Sequence, residues 1–152
     1  MIHSQASSST VPTDTKGSIL LALERASKEV LEAIVMLEGL MSQPRPDTSK
    51  ITWIRLELAH SRLTHGSIVY RIAEFLDKRG ASSETAGYAR KLQLSHSELM
   101  RRASLHTKKW SVPALEADWM GYCSETRKLL FRWTDQIKTE GQRLRIFLLQ
   151  AS

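Results

Sequence analysis

Residues 51–75, ITWIRLELAHSRLTHGSIVYRIAEF, determine how this chain is expected to fold. Apolar residues recur there in steps of three and four, which is the spacing of an amphipathic helix rather than of a strand. The small residues Ala59, Gly66 and Ala73 lie one heptad apart, which predicts a close approach by a neighbouring helix. Two apolar stripes predict a central helix that other helices cover on more than one side. The first stripe contains Ile51, Ile54, Leu58, Ser61, His65, Ile68, Ile72 and Phe75, and the second contains Leu56, Ala59, Leu63, Gly66, Tyr70 and Ala73.

Signals at both ends of this stretch define the limits of the central helix. Asp47, Thr48 and Ser49 offer side-chain oxygens to the unpaired N–H groups of a helix start. Gly80 follows the last periodic residues and is a natural terminator. We therefore expect the helix to span about residues 49–79.

The same periodicity recurs on both sides of the central helix and predicts an all-α fold. Four segments of similar length with short connections predict an antiparallel up-down-up-down four-helix bundle over residues 14–152. Residues 1–13 are polar and serine-rich, which predicts a flexible N-terminal arm. The predicted helices are approximately 15–41, 49–79, 83–109 and 112–150.

Composition excludes several classes of protein. The chain has 152 residues, the usual size of one domain. Its single cysteine, Cys123, excludes an intrachain disulfide and fits a reducing compartment. Residues 1–15 lack the apolar run of a secretory signal, and no stretch reaches the roughly 20 apolar residues of a membrane span. We therefore predict a cytoplasmic protein without a membrane span.

Three histidines fall on the predicted inner faces of the helices: His65 on the second helix, and His96 and His106 on the third. Either they converge on a pocket or a metal ion, or each is buried and hydrogen bonded to a neighbouring group. A di-iron centre would need Glu-x-x-His pairs on facing helices, but only Glu57 and His60 supply this spacing. We therefore expect no cofactor. Buried neutral histidines would also weaken folding as the pH falls toward about 5.

His60 lies on the predicted outer face of the second helix and is a candidate phosphoryl acceptor. Domains that transfer phosphoryl groups through histidine usually carry lysine and glycine three and four residues later, where this chain has Leu63 and Thr64. Cys123 lies on an apolar stripe, and the chain contains no Gly-x-Ser-x-Gly motif. The sequence favours a non-enzymatic protein, with a histidine-based signalling or phosphotransfer module as the alternative.

The third predicted helix carries the strongest concentration of positive charge in a chain of net charge +6. Such a surface either is simply solvated or binds nucleic acid through phosphate contacts. A basic surface for nucleic acid is therefore a second alternative, although no sequence motif supports it. Its residues would be Arg90, Lys91, Arg101, Arg102, Lys108 and Lys109.

Two exposed apolar features indicate contact with another protein. Trp53 lies on the polar side of the central helix with Glu57 and His60, and tryptophan is enriched in interface hot spots. Near the C-terminus, Phe147 and Leu149 belong to an apolar run that one helix face cannot bury completely. We therefore predict a small cytoplasmic adaptor, regulatory or self-associating module that binds a protein partner or a second copy of itself.

Overall fold

The computed structural model of this chain describes residues 15–79 and 82–150. All its regular elements are α-helices, and the described residues contain no strand, which confirms the predicted all-α class. No helix in these two ranges is long and apolar enough to cross a membrane. The predicted arm, residues 1–13, lies outside the described residues. The helices are α1 (Lys16–Met41), α2 (Thr48–Arg79), α3 (Ser83–Lys109), α4 (Val112–Ala117) and α5 (Trp119–Gln150).

Side-chain caps fix the starts of the first three helices. The Thr15 hydroxyl oxygen accepts a hydrogen bond from Ser18 N at 3.1 Å and caps α1. Asp47 Oδ1 accepts from Lys50 N at 3.2 Å at the start of α2. Ser82 Oγ accepts from Thr85 N at 3.2 Å and caps α3. Each oxygen satisfies an N–H that the helix itself leaves unpaired, and the predicted boundaries of these helices agree with the structure to within one residue.

The predicted single helix over 112–150 is wrong, because the chain leaves helical geometry at Asp118. Asp118 has φ −141° and ψ 71°. Its backbone N–H ends α4 by donating to Ala114 O at 3.1 Å, and its carboxylate accepts from Gly121 N at 2.9 Å at the start of α5. Aspartate side chains compete with the backbone for hydrogen bonds in this way, so they favour caps over helix interiors.

Packing between the helices leaves two apolar clusters separated by a polar layer. Helix α2 packs against α1 and α3, while α5 packs against α1 and α4. On α2 the buried apolar residues stop at Leu58 and resume at Val69, and the buried residues between them include Ser61 and His65. The polar layer, defined here by Ser61, Arg62, His65, His96 and Glu140, lies between the clusters on α2, α3 and α5. One cluster includes Met41, Ile51, Ile54, Leu115 and Tyr122, and the other includes Ile19, Leu76, Leu92, Leu144 and Leu148.

The second apolar stripe of α2 is not covered as the sequence predicted. Its large members are exposed, with relative accessibilities of 67% for Leu56, 61% for Leu63 and 42% for Tyr70. Gly66 and Ala73 are buried, yet a Cβ added to Gly66 would meet nothing within 4 Å. The neighbouring helices therefore cover only the small-residue edge of this stripe, and they do not need a glycine for close approach at position 66.

Candidate functional site

His65 and His96 meet inside the polar layer, one contributed by α2 and the other by α3. Their ring centroids lie 5.4 Å apart, and both side chains are buried. Burial lowers the pKa of His65 from 6.5 to about 4, with a further lowering from the nearby His96. Removing an imidazole from water disfavours its charged form, so His65 is neutral at pH 7.

Glu140 is the α5 residue of the polar layer, and it contacts α3 through His96. Its Oε2 lies 2.8 Å from His96 Nε2, and its Oε1 accepts from Gln136 Nε2 at 2.6 Å. Gln136 Nε2 also lies 3.0 Å from Ser95 Oγ, which extends the network to the surface. Glu140 was not among the predicted site residues, although its spacing from the buried Ile137 and Leu144 places it on the inner stripe of α5.

Arg62 of the polar layer stacks on the ring of Trp133. The guanidinium carbon of Arg62 lies 4.2 Å from the centroid of the Trp133 ring, within the range of a cation–π contact. Burial lowers the pKa of Arg62 from 12.5 to about 10. Arg62 Nη1 and Trp133 Nε1 are buried without a hydrogen-bond acceptor among the described residues. Both residues, with His65, His96 and Glu140, line a cavity of about 30 Å³.

His106 does not join the other two inward-facing histidines, so the structure does not support the alternative in which all three converge. It lines a different small cavity, where its Nε2 lies 2.9 Å from Thr126 Oγ1 and its ring lies 5.7 Å from that of Tyr122. Burial, and then the positive charge of Arg55, lower its pKa to about 4. The separation follows from sequence spacing, because ten residues of α3 place His106 almost three turns from His96.

The described residues contain no group of three or more histidine, cysteine, aspartate or glutamate side chains arranged to hold a metal ion. The hypothesis of a metal on His65, His96 and His106 therefore has no geometric support. Cys123 is buried, and its Sγ lies 3.7 Å from Met41 O. Burial raises the pKa of the Cys123 thiol, which keeps it in its less nucleophilic form.

An exposed row of side chains follows α2 in alternating steps of three and four. This row, the α2 seam, consists of Trp53, Leu56, His60, Leu63, Ser67 and Tyr70. All six residues are exposed, and Trp53 retains a relative accessibility of 52%. The predicted contact residues Trp53 and His60 belong to the seam, and Glu57 lies beside it. Such spacing is that of the a and d positions of a coiled coil.

The two C-terminal residues predicted to form one contact patch lie in different environments. Phe147 is partly buried and stacks on Tyr88, with ring centroids 4.6 Å apart. Leu149 is exposed. Phe147 therefore packs against the apolar cluster at this end of the core, and contact of either residue with a partner stays a prediction.

The basic face of α3 is partly neutralised. Glu98 forms ion pairs with Arg101 at 2.7 Å and Arg102 at 3.1 Å, and these hydrogen bonds lower its pKa to about 2. Lys109 pairs with Glu125. The remaining predicted residues, Arg90, Lys91 and Lys108, are exposed. Nucleic acid would thus compete with carboxylates for half of the predicted contacts, which weakens but does not test this hypothesis.

Two open grooves flank α5. The α1–α5 groove has a volume of about 840 Å³ and an apolar floor that includes Leu20, Leu31 and Ile137. The α3–α5 groove has a volume of about 730 Å³ and a wall rich in charged residues, including Lys91, Arg132 and Asp135. Both volumes fall within the range of small-molecule sites, but apolar walls are more typical of such sites.

Comparison with protein-family models, with curated proteins and with solved structures gives no match for this chain.

Proposed function

We propose that this chain is a non-enzymatic cytoplasmic interaction module that pairs with a second copy of itself through the α2 seam. The exposure of the α2 seam is the observation that supports this proposal. A heptad row with large apolar side chains normally inserts into a facing helix, whereas here Leu56 and Leu63 are both more than 60% exposed. Large apolar side chains that stay exposed along one helix in this way are typical of association sites.

The α2 seam is self-complementary in an antiparallel arrangement. If His60 of one copy lies opposite Leu63 of the other, the same register places Trp53 opposite Tyr70 and Leu56 opposite Ser67. Each layer then combines one large apolar or aromatic group with a second side chain, and the Trp–Tyr layers close both ends of the contact. A two-fold axis repeats every contact, as expected for an isologous homodimer.

The fold proposed for each copy is an antiparallel bundle of the four long helices in up-down-up-down order. Short connections and packing of α1 on α2, α2 on α3 and α1 on α5 support this arrangement. In it, α4 belongs to the connection between α3 and α5. The α2 seam then lies on one outer face, while the polar layer fixes the opposite side of α2 against α3 and α5.

Self-association measured by analytical ultracentrifugation over two decades of protein concentration tests the proposal. We expect a monomer–dimer equilibrium that Leu56→Glu and Leu63→Glu each weaken by roughly tenfold or more, because each variant replaces the apolar side chain of its layer with a charge. Phe131→Glu is the matched control, since Phe131 is equally apolar, 74% exposed and on α5. A wild-type monomer throughout, or an equal effect of the control, would refute the α2 seam.

His60 offers the alternative of phosphoryl transfer because it is exposed on a long helix. Because His60 also belongs to the α2 seam, one variant can test phosphoryl transfer and pairing separately. A His60→Gln variant should retain dimerisation, and incubation with phosphoramidate should label the wild type but not the variant if His60 accepts phosphoryl groups. Absence of label would remove this alternative without affecting the pairing proposal.

A further inference from the structure

The α1–α5 groove is a narrow apolar slot rather than a broad docking surface. Arg145 Nη1 of α5 lies 3.6 Å from Glu24 Oε1 of α1, so side chains bridge the groove across its width. An α-helix with side chains is roughly 10–12 Å wide and would have to break this contact. Ser27 and Gly141, which have small side chains, also line the groove. The geometry therefore favours a thin, extended occupant.

We propose that the α1–α5 groove binds a linear amphiphile with a hydrocarbon chain and an anionic head, such as a free fatty acid. Residues Leu20 to Val35 line one wall, so the slot follows α1 for roughly 22 Å. This length suits an extended acyl chain. The wall is almost entirely apolar between its charged rims, which provides no partners for a polar ligand.

The charged rim supplies a binding site for the anionic head. Lys138 is exposed on α5, seven residues before Arg145, so it lies two turns, or roughly 10 Å, from the Glu24–Arg145 pair. Lys28 stands on the opposite wall, with its Nζ 3.8 Å from Glu32 Oε1. A carboxylate at Lys138 would leave the acyl chain free to lie over Ser27 and Gly141.

Isothermal titration with decanoate, laurate and myristate below their micelle concentrations tests the site. Each added methylene that is fully buried tightens binding about fourfold, so affinity should rise steadily along this series. Dodecanol should bind more weakly than laurate, and Lys138→Gln should reduce that difference. Absence of laurate binding, or affinity independent of chain length, would overturn the proposal.

Two glycine variants test whether laurate binds in the α1–α5 groove. A Cβ at Gly141 meets nothing within 4 Å, so Gly141→Leu can fill the floor without displacing the core, and it should weaken laurate binding by about tenfold or more. Gly87→Leu is the matched control on α3, because Gly87 also has open space around its Cβ position. Unchanged binding in Gly141→Leu, or an equal loss in Gly87→Leu, would exclude this groove. The result is independent of the α2 seam, which lies on another helix.

Discussion

At the scale of single residues, His96 and Glu140 form a buried polar contact between α3 and α5. Glu140 is 9% exposed and accepts hydrogen bonds from His96 and Gln136. Removing one member of a buried pair leaves the other without its partner, whereas replacing both with apolar groups can be almost neutral. The pair therefore specifies the alignment of α3 and α5 more than it adds net stability.

A double-mutant cycle tests this view of the pair. We expect Glu140→Leu to lower the free energy of unfolding by about 3 kcal/mol, because it leaves His96 Nε2 without its acceptor. The combined His96→Leu and Glu140→Leu variant should lose clearly less than the sum of the two single variants. Urea unfolding followed by circular dichroism measures all three. Simple additivity would show that the two side chains are not energetically coupled.

At the scale of helices, two glycines of α5 should respond to alanine with opposite signs. Gly141 is helical with open space around its Cβ position, so Gly141→Ala should stabilise the protein by about 0.5–1 kcal/mol. A Cβ at Gly121 would meet the Asp118 carboxylate, so Gly121→Ala must displace the cap and lose up to about 1 kcal/mol. Thermal unfolding compares the pair. A similar gain at both positions would show that the Asp118 cap contributes little.

The same helices show how far periodicity alone could predict this structure. Steps of three and four placed α1, α2 and α3 to within one residue and put His65 and His96 inside, because burial of an apolar stripe is a property of one helix. They could not reveal that Leu56 and Leu63 remain exposed, since a stripe does not specify what covers it. The partners of Glu140 and Trp133 could not be predicted for a related reason. Their meeting with His96 and Arg62 depends on the register between helices, which no single segment encodes.

At the scale of the whole molecule, the polar layer interrupts an otherwise apolar core. Three helices contribute to it: His96 of α3 is hydrogen bonded to Glu140 of α5, and the His65 ring of α2 lies beside the His96 ring. A shift of α5 by one turn would separate Glu140 from His96 and move Trp133 from Arg62. Apolar contacts tolerate such shifts better than hydrogen bonds do. The layer therefore selects one alignment of α2, α3 and α5, and it also makes stability depend on protonation.

We predict that the protein loses stability as the pH falls from about 6.5 to about 4. Burial lowers the pKa values of His65 and His106 from 6.5 to about 4. In this window the unfolded chain takes up protons that the folded chain does not, so acid favours unfolding. For the deeply buried His65, the loss should approach about 3 kcal/mol. Glu98, whose pKa is lowered to about 2, affects the stability mostly at pH values below this window.

Urea unfolding at a series of pH values between 7 and 4 measures this dependence, and two variants of the polar layer assign it. His65→Leu cannot take up a proton, so its stability should fall less steeply over the same window than that of the wild type. Ser61→Ala is the control, because it changes the same polar layer without removing a proton-binding group, so it should keep the wild-type slope. If His65→Leu kept the wild-type slope, the proton-linked loss would have to arise outside the polar layer, with His106 beside Thr126 as the next position to substitute.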